Sequence, residues 1–393
     1  MAQYDFIVIG SGVSGMTFAQ NMAEKGKKIL VLESSDRIGG CLCTLYHDDF
    51  WLEMGGHTIY SSYASYIDNM KRVNIVSRFL PRVKQPFKML TEKGLLPITK
   101  VLNKTELMMN GVKLFFSKKE GKTVREYYSS FLGKGNYESM FRPMIQAVIS
   151  QEGSDFPADM MLKKRPKDKS MPRSFTIFGG MNHYIQKAAG NENITVKTSC
   201  GAKHITVENG IYTVTSESGD IFSAENVTLA CAPAAAGKLL SEISSELSAL
   251  LCQIPSARVE SMGVIVNKAD IALDTLSFIV AQEADFTSVV SRDVVRDEKY
   301  RGFAFHFKPD RLTDDQKLEA AENILGVSKH AFVKTDTVTH LSPTLGKGHE
   351  DIVKLIDKKL KEAKGVYITG NYFGGLAIED CVVRSRAEAD RAL

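Results

Sequence analysis

The chain has 393 residues with a formal net charge of +4, 44% hydrophobic residues and 24% charged residues, a composition typical of a soluble globular protein of about two domains. The small charge, without a repeated basic and aromatic pattern, argues against a nucleic-acid partner. No apolar run reaches the roughly 18 residues of a membrane-spanning helix, so we expect no transmembrane segment. An apolar strand starting at Tyr4 leaves no room for a signal peptide. The six cysteines show no disulfide spacing, so the chain is predicted to be cytoplasmic.

The start of the chain has the pattern of a dinucleotide-binding unit. Residues 4–9 form an apolar run of strand length, and residues 10–15 follow at once with the spacing Gly-x-Gly-x-x-Gly. Residues 16–26 have helical apolar spacing, and a second apolar run at 28–32 ends at Glu33. A strand before the glycines, a helix after them and an acidic end to the second strand make this motif far more specific than the glycines alone.

Each part of this unit has a physical role. Gly10 allows the tight turn from strand to helix, and Gly15 lets the helix pack closely on the strand. Gly12 has no Cβ, so a pyrophosphate can approach the backbone and sit at the helix N-terminus. The carboxylate of Glu33 can accept hydrogen bonds from ribose hydroxyl groups.

Later segments predict helices first and then mostly strands. Apolar residues recur at helical spacing over residues 124–132 and 137–150. Short strand-like runs separated by turn residues follow at 194–196, 211–214, 227–230, 261–266, 278–280 and 303–307. Residues 314–325 return to helical spacing, and no internal repeat is present.

Further glycine patterns recur along the chain. An Arg-x-Gly-Gly segment, which nicotinamide-dependent dehydrogenases do not need, follows Glu33 and ends at Gly40. The other segments are Glu-Met-Gly-Gly-His at 53–57, Phe-Gly-Gly-Met at 178–181, a strand ending Ala-Cys-Ala-Pro at 227–233, and Gly-Asn-Tyr-Phe-Gly-Gly-Leu-Ala-Ile at 370–378. In this order they resemble the flavoprotein family of amine oxidases, protoporphyrinogen oxidases, phytoene desaturases and UDP-galactopyranose mutases.

The resemblance implies an α/β fold with an interrupted Rossmann-type FAD-binding domain. The interruptions are insertions that build a mixed α+β substrate domain. We expect the FAD-binding domain to comprise residues 1–71, 179–251 and 349–393. The substrate domain would then combine a helical insertion at 72–178 with a sheet at 252–348.

The resemblance also implies non-covalent FAD and no metal. The family's cysteinyl flavin linkage, where present, lies just before the C-terminal glycine motif, and residues 363–366 contain no cysteine there. A residue near Ala202 would hold the adenine through its backbone. The residues expected to contact FAD are Gly10, Ser11, Gly12, Val13, Ser14, Gly15, Glu33, Ser34, Arg37, Gly39, Gly40, Gly55, Gly56, His57, Ala202, Gly370, Asn371, Leu376, Ala377 and Ile378.

His57 and Tyr372 are the candidate catalytic residues. His57 is the best titratable candidate beside the flavin, and it either bonds flavin or substrate or holds the glycine turn. Tyr372 lies inside the C-terminal motif and is a candidate aromatic wall of the substrate site. Tyr60 is a weaker candidate for such a wall, and core packing is the favoured interpretation for its ring.

The implied reaction is transfer of a hydride from a small-molecule substrate to flavin N5, with oxygen or another electron acceptor reoxidising the flavin. Asn371 and the residues after it resemble protoporphyrinogen oxidases more than amine oxidases, and Lys268 lies in the wrong context for the amine oxidases' lysine. A mutase-like isomerase acting on a nucleotide-sugar is the main alternative, and an amine oxidase is another. The mutase needs arginines to clamp a diphosphate, and the available ones are Arg142, Arg165, Arg173, Arg258 and Arg301.

Two other features stay open. A basic run at 163–169, extended by Arg173, is either a mobile solvated loop or a contact for carboxylated substrates or an anionic membrane surface. Cys41 and Cys43 are either small residues tolerated beside the cofactor, the favoured interpretation, or a redox pair. The oligomeric state is not predicted.

Overall fold

The computed structural model describes residues 3–393. Its strands are β1 (Tyr4–Ile9), β2 (Ile29–Leu32), β3 (Thr44–His47), β4 (Phe50–Glu53), β5 (Ile59–Tyr60), β6 (Phe79–Pro81), β7 (Phe87–Thr91), β8 (Gly94–Pro97), β9 (Ser174–Ile177), β10 (Ile194–Lys197), β11 (Ala202–Glu208), β12 (Ile211–Ser216), β13 (Ile221–Leu229), β14 (Ser256–Asn267), β15 (Phe278–Ala281), β16 (Phe286–Ser291), β17 (Tyr300–Phe307), β18 (Phe332–Pro343) and β19 (Val366–Ile368).

The α-helices are α1 (Val13–Ala23), α2 (Ala64–Arg72), α3 (Ile98–Val101), α4 (Lys104–Gly111), α5 (Val124–Leu132), α6 (Lys134–Asn136), α7 (Arg142–Ile149), α8 (Asn182–Ala189), α9 (Pro233–Leu239), α10 (Ser245–Cys252), α11 (Asp314–Leu325), α12 (His349–Leu360) and α13 (Ile378–Arg391). A π-helical turn at Tyr137–Phe141 leads into α7, so the helical spacing predicted over 137–150 is present.

One seven-stranded sheet has the order β10-β2-β1-β13-β12-β11, with β19 beside β13, and so combines strands from the start, middle and end of the chain. Strands β10, β2, β1, β13 and β19 are parallel to their neighbours, and β12 and β11 are antiparallel. Alternate residues of β1 enter two separate cores: Ile7 and Ile9 lie in one, and Phe6 and Val8 in the other. A strand buried on both faces reads as an uninterrupted apolar run, which is why the sequence predicted β1 and β2.

The second sheet has the order β18-β14-β17-β16-β15-β7-β8. It is antiparallel except where β15 meets β7. Strands β7 and β8 come from the first predicted insertion and the others from the second, so the sheet draws on both. The β3–β4 hairpin packs on this sheet through Phe50 and Leu52, which leave no room for a side chain at Gly302. The domain boundaries given above remain predictions.

Most predicted elements are present, with shifted ends. The first helix was predicted over 16–26 but spans Val13–Ala23, because it begins directly after Gly12 and Gly26 adopts a left-handed φ of +77°. The sequence patterns did not predict many of the strands, among them β7 and β8 inside the insertion expected to be helical, and β11 and β18. Much of β18 is solvent-exposed at the edge of its sheet, so it lacks the apolar run that marks a buried strand.

Candidate functional site

In the glycine-rich turn between β1 and α1, two glycines have no space for a side chain and the third faces open space. Gly10 adopts a φ of +105°, and a Cβ there would lie 2.7 Å from the Ala230 carbonyl oxygen. A Cβ on Gly15 would collide with the Gly10 carbonyl oxygen. A Cβ on Gly12 would have no atom within 4 Å, and α1 begins after Gly12 without a side-chain cap. Free helix N–H groups beside open space fit the pyrophosphate of a dinucleotide.

Glu33 joins this turn to the loop after β2. Its Oε2 accepts hydrogen bonds from the N–H (3.0 Å) and the hydroxyl (2.6 Å) of Ser11. Its Oε1 accepts from the N–H (2.9 Å) and the hydroxyl (2.6 Å) of Ser35. Burial acts to raise the pKa of the Glu33 carboxyl, but these bonds outweigh burial and lower it, so the group is ionised. The sequence motif predicted Glu33 but not Ser35, whose role is visible only from its contacts.

The predicted adenine side lies next to Glu33. The Cys200 N–H donates to the Glu33 carbonyl oxygen at 2.8 Å, so the start of β11 lies beside the loop. A Cβ on Gly201 would lie 3.2 Å from the Ser34 Cβ. Ala202 is therefore close to Ser34, as the proposed adenine contact requires.

The loop at residues 37–40 closes over the glycine-rich turn. Gly12 and Gly39 form a backbone bridge, and the Gly39 N–H donates to the Ser11 hydroxyl at 3.3 Å. Gly40 adopts a φ of +55°, and a Cβ on it would lie 3.2 Å from the Gly12 Cα. Arg37 holds the loop by donating to the Gly40 carbonyl oxygen at 3.0 Å.

Other predicted flavin segments meet one another beside the loop at residues 37–40. The Gly56 N–H donates to the Cys41 carbonyl oxygen at 3.1 Å. A Cβ on Gly56 would lie 3.4 Å from Cδ1 of Ile378, the first residue of α13. The loops at 39–41 and 55–57 and the start of α13 therefore share one site. Val13, Gly55, Asn371, Leu376 and Ala377 stay partly accessible, whereas Ser14 is buried.

His57 is a neutral histidine in this arrangement. Burial, and then the charge of Arg82, lower its pKa to about 4. Its Nδ1 lies 3.0 Å from the Gly55 carbonyl oxygen, a partner that requires the proton on Nδ1. Nε2 is then the acceptor nitrogen. The ring therefore supports the glycine turn, and a bond from His57 to flavin or substrate stays a prediction.

Two further histidines, His306 and His340, lie close to each other on the second sheet, with His306 also near His57, and no sequence motif marks them. Burial, then His57 and His340, lower the pKa of His306 to about 3. The His306 Nδ1 lies 2.8 Å from the Ser261 hydroxyl oxygen. Burial, then Arg37, lower the pKa of His340 to about 4. All three imidazoles are therefore uncharged at neutral pH.

A small cavity adjoins His57 on the side of the second sheet. It is lined by Trp51, Glu53 and Arg292 as well as by His57. Glu53 accepts from the Met181 N–H at 2.7 Å and from the Thr44 hydroxyl at 2.9 Å. Burial raises the pKa of Glu53 to about 7, so close to neutral pH it is about half protonated. Arg292 has no sequence motif, and only the fold brings it here.

Tyr372 does not lie where the sequence interpretation placed it. Its side chain is 1% exposed and packs within a hydrophobic core, with its ring centroid 4.9 Å from that of Phe373. A wall of a substrate site must be reachable by substrate, so the structure contradicts this role for Tyr372. Gly370, just before it, is buried. Tyr60 also differs from expectation, because its ring is 45% exposed and not in a core.

Part of the basic run is attached to the C-terminal motif. Only the rest of the run is a solvated loop. Lys163 Nζ lies 3.1 Å from Asp380 Oδ1, and Arg165 Nη2 lies 2.6 Å from the same oxygen. Lys163 also donates to the Gly374 carbonyl oxygen. The exposed lysines of the run are Lys164, Lys167 and Lys169. The run therefore braces the start of α13.

The cysteines are free thiols. Cys41 is exposed, whereas Cys43 is partly buried, and this desolvation raises the pKa of the Cys43 thiol. A thiol that stays protonated is a poor redox nucleophile, so the state of Cys43 favours tolerated small residues over a redox pair. Across residues 3–393, no helix is long and apolar enough to cross a membrane, and no group of three His, Cys, Asp or Glu residues is placed to hold a metal ion.

Comparison with known protein families confirms the predicted family. A family model described as "Flavin containing amine oxidoreductase" matches residues 13–266, well over half of the chain. The chain belongs to this family. It is a flavin-dependent oxidoreductase with the family's FAD cofactor and Rossmann-type fold.

Individual relatives match to different extents. All-trans-retinol 13,14-reductase from Danio rerio is 46% identical over 55 residues, which cover 14% of this chain but 9% of that protein. Coproporphyrinogen III oxidase from Bacillus subtilis is 19% identical over an alignment covering 98% of this chain and 97% of that protein. The structure of a candidate protoporphyrinogen oxidase from an Exiguobacterium species superimposes with a TM-score of 0.80 at 16% identity, covering 100% of this chain and 99% of that chain. This structural likeness concerns the fold.

Proposed function

We propose that this flavin oxidoreductase is a porphyrinogen-type oxidase, which dehydrogenates a reduced tetrapyrrole. The observation that carries the proposal is the alignment with the Bacillus coproporphyrinogen III oxidase, which spans 98% of this chain. The zebrafish match at higher identity covers only 14% of this chain. A match restricted to so short a segment supports a shared nucleotide-binding motif, whereas an end-to-end match also includes the substrate-binding segments.

We propose that FAD is held non-covalently by the residues around the glycine-rich turn, the loops at 37–41 and 55–57, and the start of α13. Gly12 and the N-terminus of α1 would hold the pyrophosphate, Glu33 the ribose, and Ala202 the adenine. Gly56, His57 and Ile378 would lie at the flavin ring, with Cys41 beside them. When bound, FAD supplies the hydride acceptor that the reaction needs. The free N–H groups at the start of α13 would favour negative charge on the ring.

His57 is the proposed proton acceptor for the substrate. Oxidation of a porphyrinogen removes a hydride from carbon and a proton from a ring nitrogen. A histidine that is neutral, with Nδ1–H directed to the Gly55 carbonyl oxygen, presents an unprotonated Nε2 for that proton. Replacing His57 with asparagine should therefore slow turnover when the rate is expressed per bound FAD.

The alternatives fit the structure less well. Lys268 pairs with the surface residue Glu298 at 3.4 Å and is no counterpart of an active-site lysine. Most of the arginines that a mutase could use for a diphosphate are bound to carboxylates of this chain. Those pairs are Arg142 with Glu138 and Glu152, Arg165 with Asp380, Arg258 with Glu260 and Asp310, and Arg301 with Asp293.

The test is anaerobic reduction of the purified yellow protein. FAD should be released intact on denaturation, and coproporphyrinogen III or protoporphyrinogen should bleach the flavin without another reductant. Bleaching by amines alone would establish an amine oxidase. A flavin that only dithionite reduces, followed by conversion of a nucleotide-sugar, would establish a mutase. A colourless protein that cannot be reconstituted with FAD would refute the whole assignment. Readmitting oxygen then shows whether oxygen is the electron acceptor.

A further inference from the structure

The segment between β8 and α5 exposes a group of large apolar side chains. It includes α4 and a 3₁₀ turn at Val112–Phe116, and neither of these contains a buried residue. Single exposed apolar side chains are ordinary on a protein surface, whereas a contiguous group marks an interaction site. The side chains, which we call the apolar patch, have exposed fractions of 46% to 84% and are Met108, Met109, Val112, Leu114, Phe115 and Phe116.

Polar groups hold α4 in this orientation. The carboxylate of Glu106 accepts from the N–H groups of Gly135 and Asn136, at 2.8 Å each. Asn136 is 0% exposed, and its side chain exchanges hydrogen bonds with the backbone of Asn103, the residue before α4. A surface helix ordinarily turns its apolar face to the core and its polar face to water. In α4 the polar side is anchored to the fold, so the apolar patch is left facing the solvent.

Basic residues flank the apolar patch along the chain. Residues 100–122 contain six lysines and two acidic residues. One of the two acidic residues is Glu106, whose carboxylate binds the backbone N–H groups of α6. The segment therefore carries a net positive charge. The lysines with exposed side chains in it are Lys100, Lys104, Lys113 and Lys118.

The start of the basic run at 163–169 adjoins this segment. Lys119 Nζ donates to the Met161 carbonyl oxygen at 2.6 Å and to the Leu162 carbonyl oxygen at 3.2 Å. The end of the segment therefore lies against the residues that precede the run. Leu162 is itself 55% exposed, and Lys164 is exposed two residues later. Apolar and basic side chains thus continue together from one segment to the next.

Exposed apolar residues bordered by lysines are typical of a segment that lies in the interface of a lipid bilayer. The apolar side chains enter the boundary between headgroups and acyl chains, and the lysines are attracted to anionic headgroups. Helix α4 has 8 residues, far fewer than the roughly 20 that a membrane-spanning helix needs, so this segment would lie along the surface. A second copy of this chain on the same patch would bring like charges together, which disfavours association.

We propose that the apolar patch and the lysines around it attach this protein to the surface of an anionic phospholipid bilayer. Burial of the apolar side chains supplies the attachment, and the lysines supply the preference for anionic lipid. The proposal goes beyond the proposed function and does not rest on it, because no residue of the patch is among those assigned to the flavin or to the substrate.

The test is co-sedimentation of the holoenzyme with lipid vesicles. Vesicles of phosphatidylglycerol should bind the wild-type protein at least about tenfold more tightly than vesicles of phosphatidylcholine. The double variant Phe115→Ser with Phe116→Ser should bind phosphatidylglycerol at least about tenfold more weakly than the wild type. Lys113→Glu with Lys118→Glu should remove most of the preference for phosphatidylglycerol.

Matched controls separate the patch from a general effect of substitution. Ile221→Ser replaces another exposed apolar residue, on β13, and Lys358→Glu reverses the charge of another exposed lysine, on α12. Both variants should bind vesicles like the wild type. FAD content and the midpoint of thermal unfolding verify that each variant is folded.

A tryptophan placed in the patch reports the contact directly. The emission of Phe115→Trp should shift to shorter wavelength when phosphatidylglycerol vesicles are added, because the indole leaves water. The one natural tryptophan, Trp51, is buried and should not respond. An emission maximum that does not move would contradict the proposal.

The proposal is overturned if the wild-type protein sediments with neither kind of vesicle, or equally with both. A double serine variant that binds phosphatidylglycerol like the wild type would show that the patch is not the contact. If analytical ultracentrifugation without lipid shows wild-type dimers and a monomeric double serine variant, the patch is an interface between copies of this chain. None of these results bears on the proposed function, which is tested by reduction of the flavin.

Discussion

Replacing Glu33 with alanine should damage the protein in two separate ways. The sequence motif leads one to expect only the loss of ribose binding. In the structure both carboxylate oxygens already accept from the chain itself, from Ser11 and from Ser35. Glu33 therefore ties the glycine-rich turn to the loop after β2, and the ribose hydroxyl groups must displace hydroxyl donors of the protein.

The magnitudes follow from these contacts. Without the carboxylate, the Ser11 N–H becomes a buried donor with no partner, because Ser11 is 0% exposed. An unsatisfied buried group costs about 1–3 kcal/mol, so unfolding of the apoprotein should become easier by that amount. A hydrogen bond to an ionised group contributes about 1.5–3 kcal/mol. Losing the net equivalent of one such bond to the ribose should weaken FAD binding about 10- to 150-fold.

Two assays separate the effects. Thermal or urea unfolding of the apoprotein measures the first, and calorimetric titration with FAD measures the second. Glu208→Ala is the matched control, since Glu208 is an exposed carboxylate on β11 of the same sheet. If the Glu33→Ala apoprotein is as stable as the wild-type apoprotein, the Ser11 and Ser35 contacts contribute nothing to stability. Unchanged FAD affinity would show that the ribose is held elsewhere.

The remaining predictions concern other parts of the site. Gly375→Val should impair flavin binding because Gly375 has a φ of +131°. Gly374→Ala is the control and should retain wild-type flavin content, because no atom would lie closer than 3.6 Å to the new Cβ. The pKa of Glu53 is about 7 in the folded protein, compared with about 4.3 in the unfolded chain. The free energy of unfolding should therefore fall by at most about 3 kcal/mol as the pH rises from about 5 to 8. Glu53→Gln should flatten this pH dependence. A variant whose stability depends on pH as the wild type's does would contradict the role of Glu53. Asp380→Asn should free the basic run, and trypsin should then cleave within residues 163–169 faster than in the wild type; equal cleavage rates would show that the pairs do not hold the run.

Local sequence determined the elements whose signals lie within a few residues. The spacing of Gly10, Gly12 and Gly15 predicted the turn and its open position because strand, turn and helix are consecutive. Helices α5 and α11 were predicted with the bounds that the structure shows. Each begins with a capping box, Thr123 with Glu126 and Thr313 with Gln316, and such a box is local to the first turn of a helix.

Tertiary structure alone decided which side chains share the site. Arg82 and Arg292 are far apart in the chain and lie in no motif. Their segments come together because the residue after β6 and the turn after β16 are joined by a backbone hydrogen bond from Val83 to Val294. Tyr372 lies within a flavin motif, yet its ring turns into the core, because packing around a side chain is set by distant segments. The burial that raises the pKa of Glu53 likewise comes from other parts of the fold. A sequence pattern can place a backbone turn, but the charge and access of a side chain depend on non-local packing.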